Sequence, residues 1–63
     1  MSTIKYSDLC DGMRIEVLNG AGLHIGTIVE LERDGKNGLP TACYDLDNGE
    51  GYWCYMYQIK RIL

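Results

Sequence analysis

The chain has 63 residues, with nine acidic and six basic side chains and a formal net charge of −3. This length predicts one domain, residues 1–63, with a core that removes only about 60% of the unfolded surface from water. The acidic balance argues against tight binding to nucleic acid, because affinity for phosphate comes from lysine and arginine. No apolar run reaches the roughly 20 residues of a membrane helix, so we expect a cytoplasmic protein without a membrane partner.

Short runs of alternating side chains, divided by glycine-rich turns, predict an all-β fold. Residues 1–11 are predicted to form an N-terminal arm or a short helical turn capped by Ser7, ended by Gly12. The predicted strands are 13–18, 23–32, 41–46, 51–56 and a short fifth strand ending at Ile62. The turns between them are 19–22, 33–40, 47–50 and a tight turn near Tyr57-Gln58. Gly26, inside the second strand, predicts a bulge or sharp bend.

The stretch GYWCYMY, residues 51–57, does not alternate between apolar and polar side chains. If Tyr52, Cys54 and Met56 face the core, Trp53, Tyr55 and Tyr57 point outward, with Tyr44 as their neighbour on the adjacent strand. The alternative is the reverse parity, with Trp53 as the main core residue and Tyr52 at the rim. On either parity some apolar surface lacks a partner within the chain. The predicted partner-binding residues are Trp53, Tyr55, Tyr57, Tyr44 and Tyr52.

Other groups in the sequence offer weaker candidate sites. Cys10, Cys43, Cys54 and His24 could supply a Cys3His zinc set, but no C-x-x-C pair is present, and the odd cysteine count favours reduced, buried thiols. Glu30 and Glu32 share a predicted face with His24, and we expect solvated charges there. The acids near the turns are expected to be solvated as well, so no metal or cofactor is predicted. They are Asp34, Asp45, Asp47 and Glu50.

The order of these elements resembles the SH3-like small barrels, with KOW and Tudor-like domains as the nearest groups. The resemblance covers residues 12–63 and rests on the following positions: Gly12, Gly20, Gly22, the run 26–29, Leu46-Asp47-x-Gly49 and Ile59. It implies a small barrel of about five short antiparallel strands. The fold by itself leaves the ligand open, since such barrels bind RNA, proline-rich peptides, methylated side chains or other subunits.

The closing segment YWCYMYQIKRI is similar to that of the plasmid-borne, trimethoprim-resistant (type II) dihydrofolate reductases, which are tetramers around a pore. The Val-Gln-Ile-Tyr motif of that family corresponds to residues 52–55 here, where only Tyr55 agrees and Trp53 stands at the pore glutamine. The similarity therefore implies an architectural relationship, and no catalytic residue is carried over.

These observations predict a small protein-binding or accessory module that self-associates through its fourth strand and has no enzymatic machinery. Its expected partner is a protein or peptide, and its compactness fits a phage or mobile-element protein. Two alternatives remain open. One is a nucleic-acid-binding KOW- or Tudor-like domain, and the other is a pore enzyme similar to the type II reductases.

Overall fold

The computed structural model describes residues 4–63 and confirms the predicted all-β domain of five antiparallel strands. The strands are β1 (Arg14–Asn19), β2 (Gly22–Lys36), β3 (Leu39–Leu46), β4 (Gly51–Tyr55) and β5 (Ile59–Ile62). Two 3-10 turns span Tyr6–Asp8 and Met56–Gln58. The first lies in the predicted N-terminal arm, of which residues 1–3 fall outside the described part. Within residues 4–63, no helix is long and apolar enough to cross a bilayer.

All five strands belong to one sheet in the order β4-β3-β2-β1-β5. The long central strand β2 pairs with β1 through Gly22–Thr27 and with β3 from Gly26 to Lys36. Since both neighbours meet β2 around Gly26, this residue lies where the sheet passes from one half to the other. Strands β4 and β5 are the two edges, and the second 3-10 turn connects them.

The region predicted as one long turn, residues 33–40, is instead an extension of two strands. Only Asn37 and Gly38 separate β2 from β3, and both have positive φ angles, 54° and 74°. Two consecutive residues with positive φ form the type I′ turn that matches the twist of a hairpin. Residues 33–36 therefore belong to β2, and Lys36 pairs with Leu39 after a second break in register beyond Glu32.

A bulge in β2 corrects the predicted face of its acidic residues. Ile28 pairs with Tyr44 and Glu30 pairs with Cys43, so Val29 is an extra residue. This shift lies three residues beyond Gly26, where a bulge or bend was predicted. Because an inserted residue reverses the alternation, Glu30 and Glu32 lie on the opposite face from His24. The predicted shared face of these three side chains is wrong.

The core lies on the inner face of the bent sheet and consists of eight buried side chains. They are Leu9, Ile15, Val17, Ile28, Ala42, Tyr44, Cys54 and Ile59. Tyr44 is the largest fully buried side chain, and its hydroxyl accepts a hydrogen bond of 3.3 Å from Asn19 Nδ2. Burial is possible for so large a ring because Gly26, directly beside it, has no Cβ.

Candidate functional site

Three aromatic side chains form a continuous outward-facing row, called here the aromatic ladder: Trp53 and Tyr55 on β4, and Tyr57 in the following 3-10 turn. The rings of Trp53 and Tyr55 meet edge to face at 5.1 Å between centroids. Those of Tyr55 and Tyr57 stack at 5.5 Å with an interplanar angle of 12°. Trp53 remains 45% exposed and Tyr57 68% exposed. The ladder therefore presents a preformed apolar surface to solvent.

The pairing of β3 with β4 explains why the ladder faces outward. Ala42 pairs with Cys54 and both are fully buried, which places the neighbouring pair, Cys43 and Trp53, on the outer face. The sequence left two parities open, and the structure adopts the one that places Trp53, Tyr55 and Tyr57 outside the core. Trp53 is therefore not a core residue.

Two of the predicted partner-binding residues do not belong to this surface. Tyr44 is fully buried in the core, so its predicted exposure is wrong. It pairs with Tyr52, which makes both point to the inner face. Tyr52 is 38% exposed at the end of the core, where its ring stacks on Tyr44 at 6.0 Å and meets His24 edge to face at 5.4 Å. Tyr52 thus lies at the rim of the core rather than in the ladder.

The β2–β3 hairpin holds the ladder in place through two residues that the sequence did not single out. Lys36 Nζ lies 5.5 Å from the centroid of the Trp53 ring, within cation–π range. Asn37 Nδ2 donates a hydrogen bond of 2.9 Å to the Tyr55 hydroxyl. The signal for this contact was the Asn-Gly pair inside residues 33–40, which identifies a tight hairpin.

An apolar depression of about 220 Å³ continues the ladder at its Tyr57 end. It is lined by Ile4, Leu39, Pro40, Tyr55, Met56 and Tyr57. Depressions of this kind accept a single apolar side chain of a partner, as do the anchor pockets of protein interfaces.

Two of the described basic residues are engaged by acids, while Lys5 and Arg33 line one depression together with Asp34. Arg61 donates two hydrogen bonds to Glu16, of 3.0 and 3.1 Å, and Arg14 pairs with Asp47 at 3.3 Å. The hydrogen bonds from Arg61 lower the pKa of the Glu16 carboxyl. With two of its six bases engaged by acids, the chain offers phosphate little of the positive surface that nucleic-acid binding needs.

The thiols and carboxylates are arranged differently from the zinc set considered above. Among residues 4–63, the side chains that gather are Glu30, Glu32 and Cys43, whose ligand atoms lie within 4.8 Å of one another. Burial raises the pKa of Cys43, and the charges of the two glutamates raise it further. Both carboxylates are exposed, and ordinary cross-strand pairing of β2 with β3 accounts for this grouping.

We expect Cys10 to react with a disulfide reagent before Cys54. Cys10 is exposed and reacts first, whereas Cys54 is fully buried and burial raises its pKa to about 12. Because the thiolate is the reactive form, Cys54 should react only when the protein unfolds. Timed labelling followed by mass spectrometry of peptides checks this order, with urea-unfolded protein as the control. Labelling of Cys54 as fast as Cys10 in the native state would contradict the burial of β4.

Comparison with known protein families, with characterised proteins and with solved structures finds no match to this chain. The SH3-like resemblance therefore stays a prediction, and the function has to be argued from the geometry of the ladder.

Proposed function

We propose that this protein is a small protein-binding module of SH3-like descent, which associates through its aromatic ladder and binds further copies of itself. One observation carries the proposal. Three aromatic rings lie side by side along the outer face of β4 and the 3-10 turn that follows it, and Trp53 and Tyr57 are exposed. Tryptophan and tyrosine are the residues that most often dominate the energetics of protein interfaces.

The contacts of the ladder within the free protein support this function. Lys36 lies over the Trp53 ring, and Asn37 donates a hydrogen bond to the Tyr55 hydroxyl. A partner therefore meets a surface whose side chains lose little further freedom on binding, which lowers the entropic cost of association. Self-association also supplies the stability that a 63-residue core provides only marginally.

The two other functions considered from the sequence have less support. Nucleic-acid binding is disfavoured by the net charge of −3 and by the pairing of Arg14 and Arg61 with acids. A pore enzyme similar to the type II reductases would present a polar side chain where Trp53 stands. No observation in residues 4–63 favours either function over protein binding.

Truncating Trp53 to alanine is expected to weaken self-association at least about thirtyfold, since central tryptophans contribute about 2 kcal/mol or more to interfaces. Sedimentation velocity over a range of protein concentrations measures this change. Leu23→Ala is the matched control, because Leu23 is 57% exposed on the β1–β2 hairpin, away from the ladder. If the wild type is monomeric at every concentration, or if Leu23→Ala weakens association equally, the proposed interface is wrong.

A further inference from the structure

The geometry points to one mode of association: β4 pairs antiparallel with β4 of a second copy, about a two-fold axis that passes beside Tyr52. This inference rests on the proposed function, and it names the partner, the edge and the register. In this register Gly51 of each copy lies opposite Trp53 of the other.

The two edges of the sheet differ in how they resist pairing with another strand. The outer edge of β5 carries Lys60 and Arg61, and its register with β1 is broken between Glu16 and Val17. Charges and bulges of this kind protect an edge from strand addition. In contrast, β4 (Gly51–Tyr55) contains neither a charged residue nor a proline. Beyond Ile28, β2 also has one side without a strand partner, but it carries Glu30, Glu32 and Arg33. Among residues 4–63, β4 is therefore the open strand side that lacks these protective features.

The free backbone groups of β4 limit the register. Leu46 N–H donates to the Glu50 carbonyl at 2.8 Å. Because hydrogen-bonded and non-hydrogen-bonded residues alternate in an antiparallel pair, Tyr52 and Cys54 direct their backbone groups to β3. Gly51, Trp53 and Tyr55 direct theirs to the open edge.

The N–H of one of these three residues already has a partner. The Tyr55 N–H donates a hydrogen bond of 2.9 Å to Gln58 Oε1, which closes that end of the edge. The N–H and C=O groups of Gly51 and Trp53 are left to pair with a second strand. Only a register with Tyr52 opposite Tyr52 of the second copy uses all of them, in four hydrogen bonds between the two chains.

Side chains on both faces fit this register. On the outer face, Trp53 of one copy lies opposite Gly51 of the other, beside the Asp45 carboxylate that flanks this glycine. On the inner face, the two Tyr52 rings lie directly opposite each other, and aromatic pairs of this kind stabilise sheets.

Charges on the outer face are complementary in the same register. Asp45 pairs with Gly51, and its Oδ1 lies 3.2 Å from the position that a Cβ on Gly51 would occupy, so this carboxylate leans over the glycine. Lys36 lies over the Trp53 ring. When Trp53 packs on the glycine of the second copy, Lys36 and Asp45 of different copies approach each other at both ends of the interface.

A disulfide cross-link tests the register directly. In the Cys10→Ser background, Tyr52→Cys is expected to form a covalent dimer under mild oxidation, since opposed residues of a non-hydrogen-bonded pair have Cα atoms about 4.5 Å apart. Gly51→Cys in the same background keeps every aromatic residue and should not cross-link, because residue 51 lies opposite Trp53 of the second copy rather than its own equivalent. Cross-linking through residue 51 and not residue 52 would overturn the register.

A charge exchange tests the inference in variants that keep all aromatic residues. Asp45→Lys and Lys36→Asp are each expected to weaken association about tenfold, and the double variant should recover most of the loss. Asp11→Lys, which alters an exposed acid far from β4, controls for net charge. Association that depends on Trp53 but shows neither the cross-link nor the rescue overturns edge pairing and leaves the proposed function standing. A wild type that stays monomeric overturns both.

Discussion

Tyr44→Ala is expected to lower the free energy of unfolding by about 3–5 kcal/mol. Tyr44 is fully buried, and removing a large aromatic side chain from a core costs about 3–5 kcal/mol. A domain of this length has a total free energy of unfolding of about 3–9 kcal/mol. The substitution removes a large part of that free energy of unfolding. Urea titration followed by circular dichroism, at one fixed low protein concentration, measures the loss.

Two further variants identify the cause of this loss. Tyr44→Phe keeps the ring and removes only the hydroxyl that accepts a hydrogen bond from Asn19, so we expect a loss of about 1 kcal/mol. Tyr57→Ala removes the same type of side chain from a position that is 68% exposed, and its effect on unfolding should be small. A cooperative Tyr44→Ala transition with a midpoint close to that of Tyr57→Ala would show that Tyr44 is not a core residue.

Gly26→Ala is expected to lower the free energy of unfolding by about 1–3 kcal/mol through overpacking. A Cβ at this position would lie 2.6 Å from Tyr44 Cδ2 and 2.9 Å from the Asp45 carbonyl oxygen. The backbone cannot move away easily, because Gly26 pairs with Ile15 on one side and Leu46 on the other. The shift in the urea midpoint relative to the wild type measures the effect.

Gly20→Ala provides the matched control for this substitution. Gly20 lies in the β1–β2 turn, and a Cβ there would meet no heavy atom of the described chain within 4 Å. Its replacement should change stability by no more than about 0.5 kcal/mol. Equal destabilisation by the two substitutions would mean that the close approach to Tyr44 does not determine the cost.

The strands could be predicted from the sequence because alternating side chains mark β1 and the first part of β2, and glycine-rich turns mark the boundaries of the others. The prediction failed for strand residues that are polar and lie outside the core. Residues 33–36 are polar and lie beyond the core, so alternation does not reveal that they continue β2. The bulge at Val29 was not predicted, because adjacent apolar residues, Ile28 and Val29, leave the phase of a strand undefined.

The candidate site could be predicted only along one strand. Alternation within residues 51–57 is enough to group Trp53 with Tyr55 and Tyr57. The position of Tyr44 depends on its pairing with Tyr52, and register between strands is set by turn geometry and packing that a single sequence does not display. The contacts of Lys36, Asn37 and Gln58 with Trp53 and Tyr55 exist only once the hairpin and the 3-10 turn have formed. The sequence therefore did not reveal them.

The strand order has a consequence for how the chain folds. Three of its four pairings join strands that follow one another in the sequence, so each closes only a short loop. The pairing of β1 with β5 is different, since the Glu16–Arg61 contact spans 45 positions. Pairing of strands that are distant in the sequence is the slow part of folding, because chain entropy is lost before the stabilising contacts form. We therefore expect β4 to be in place on β3 before β5 arrives, and the folding rate to depend more on β5 than on any hairpin.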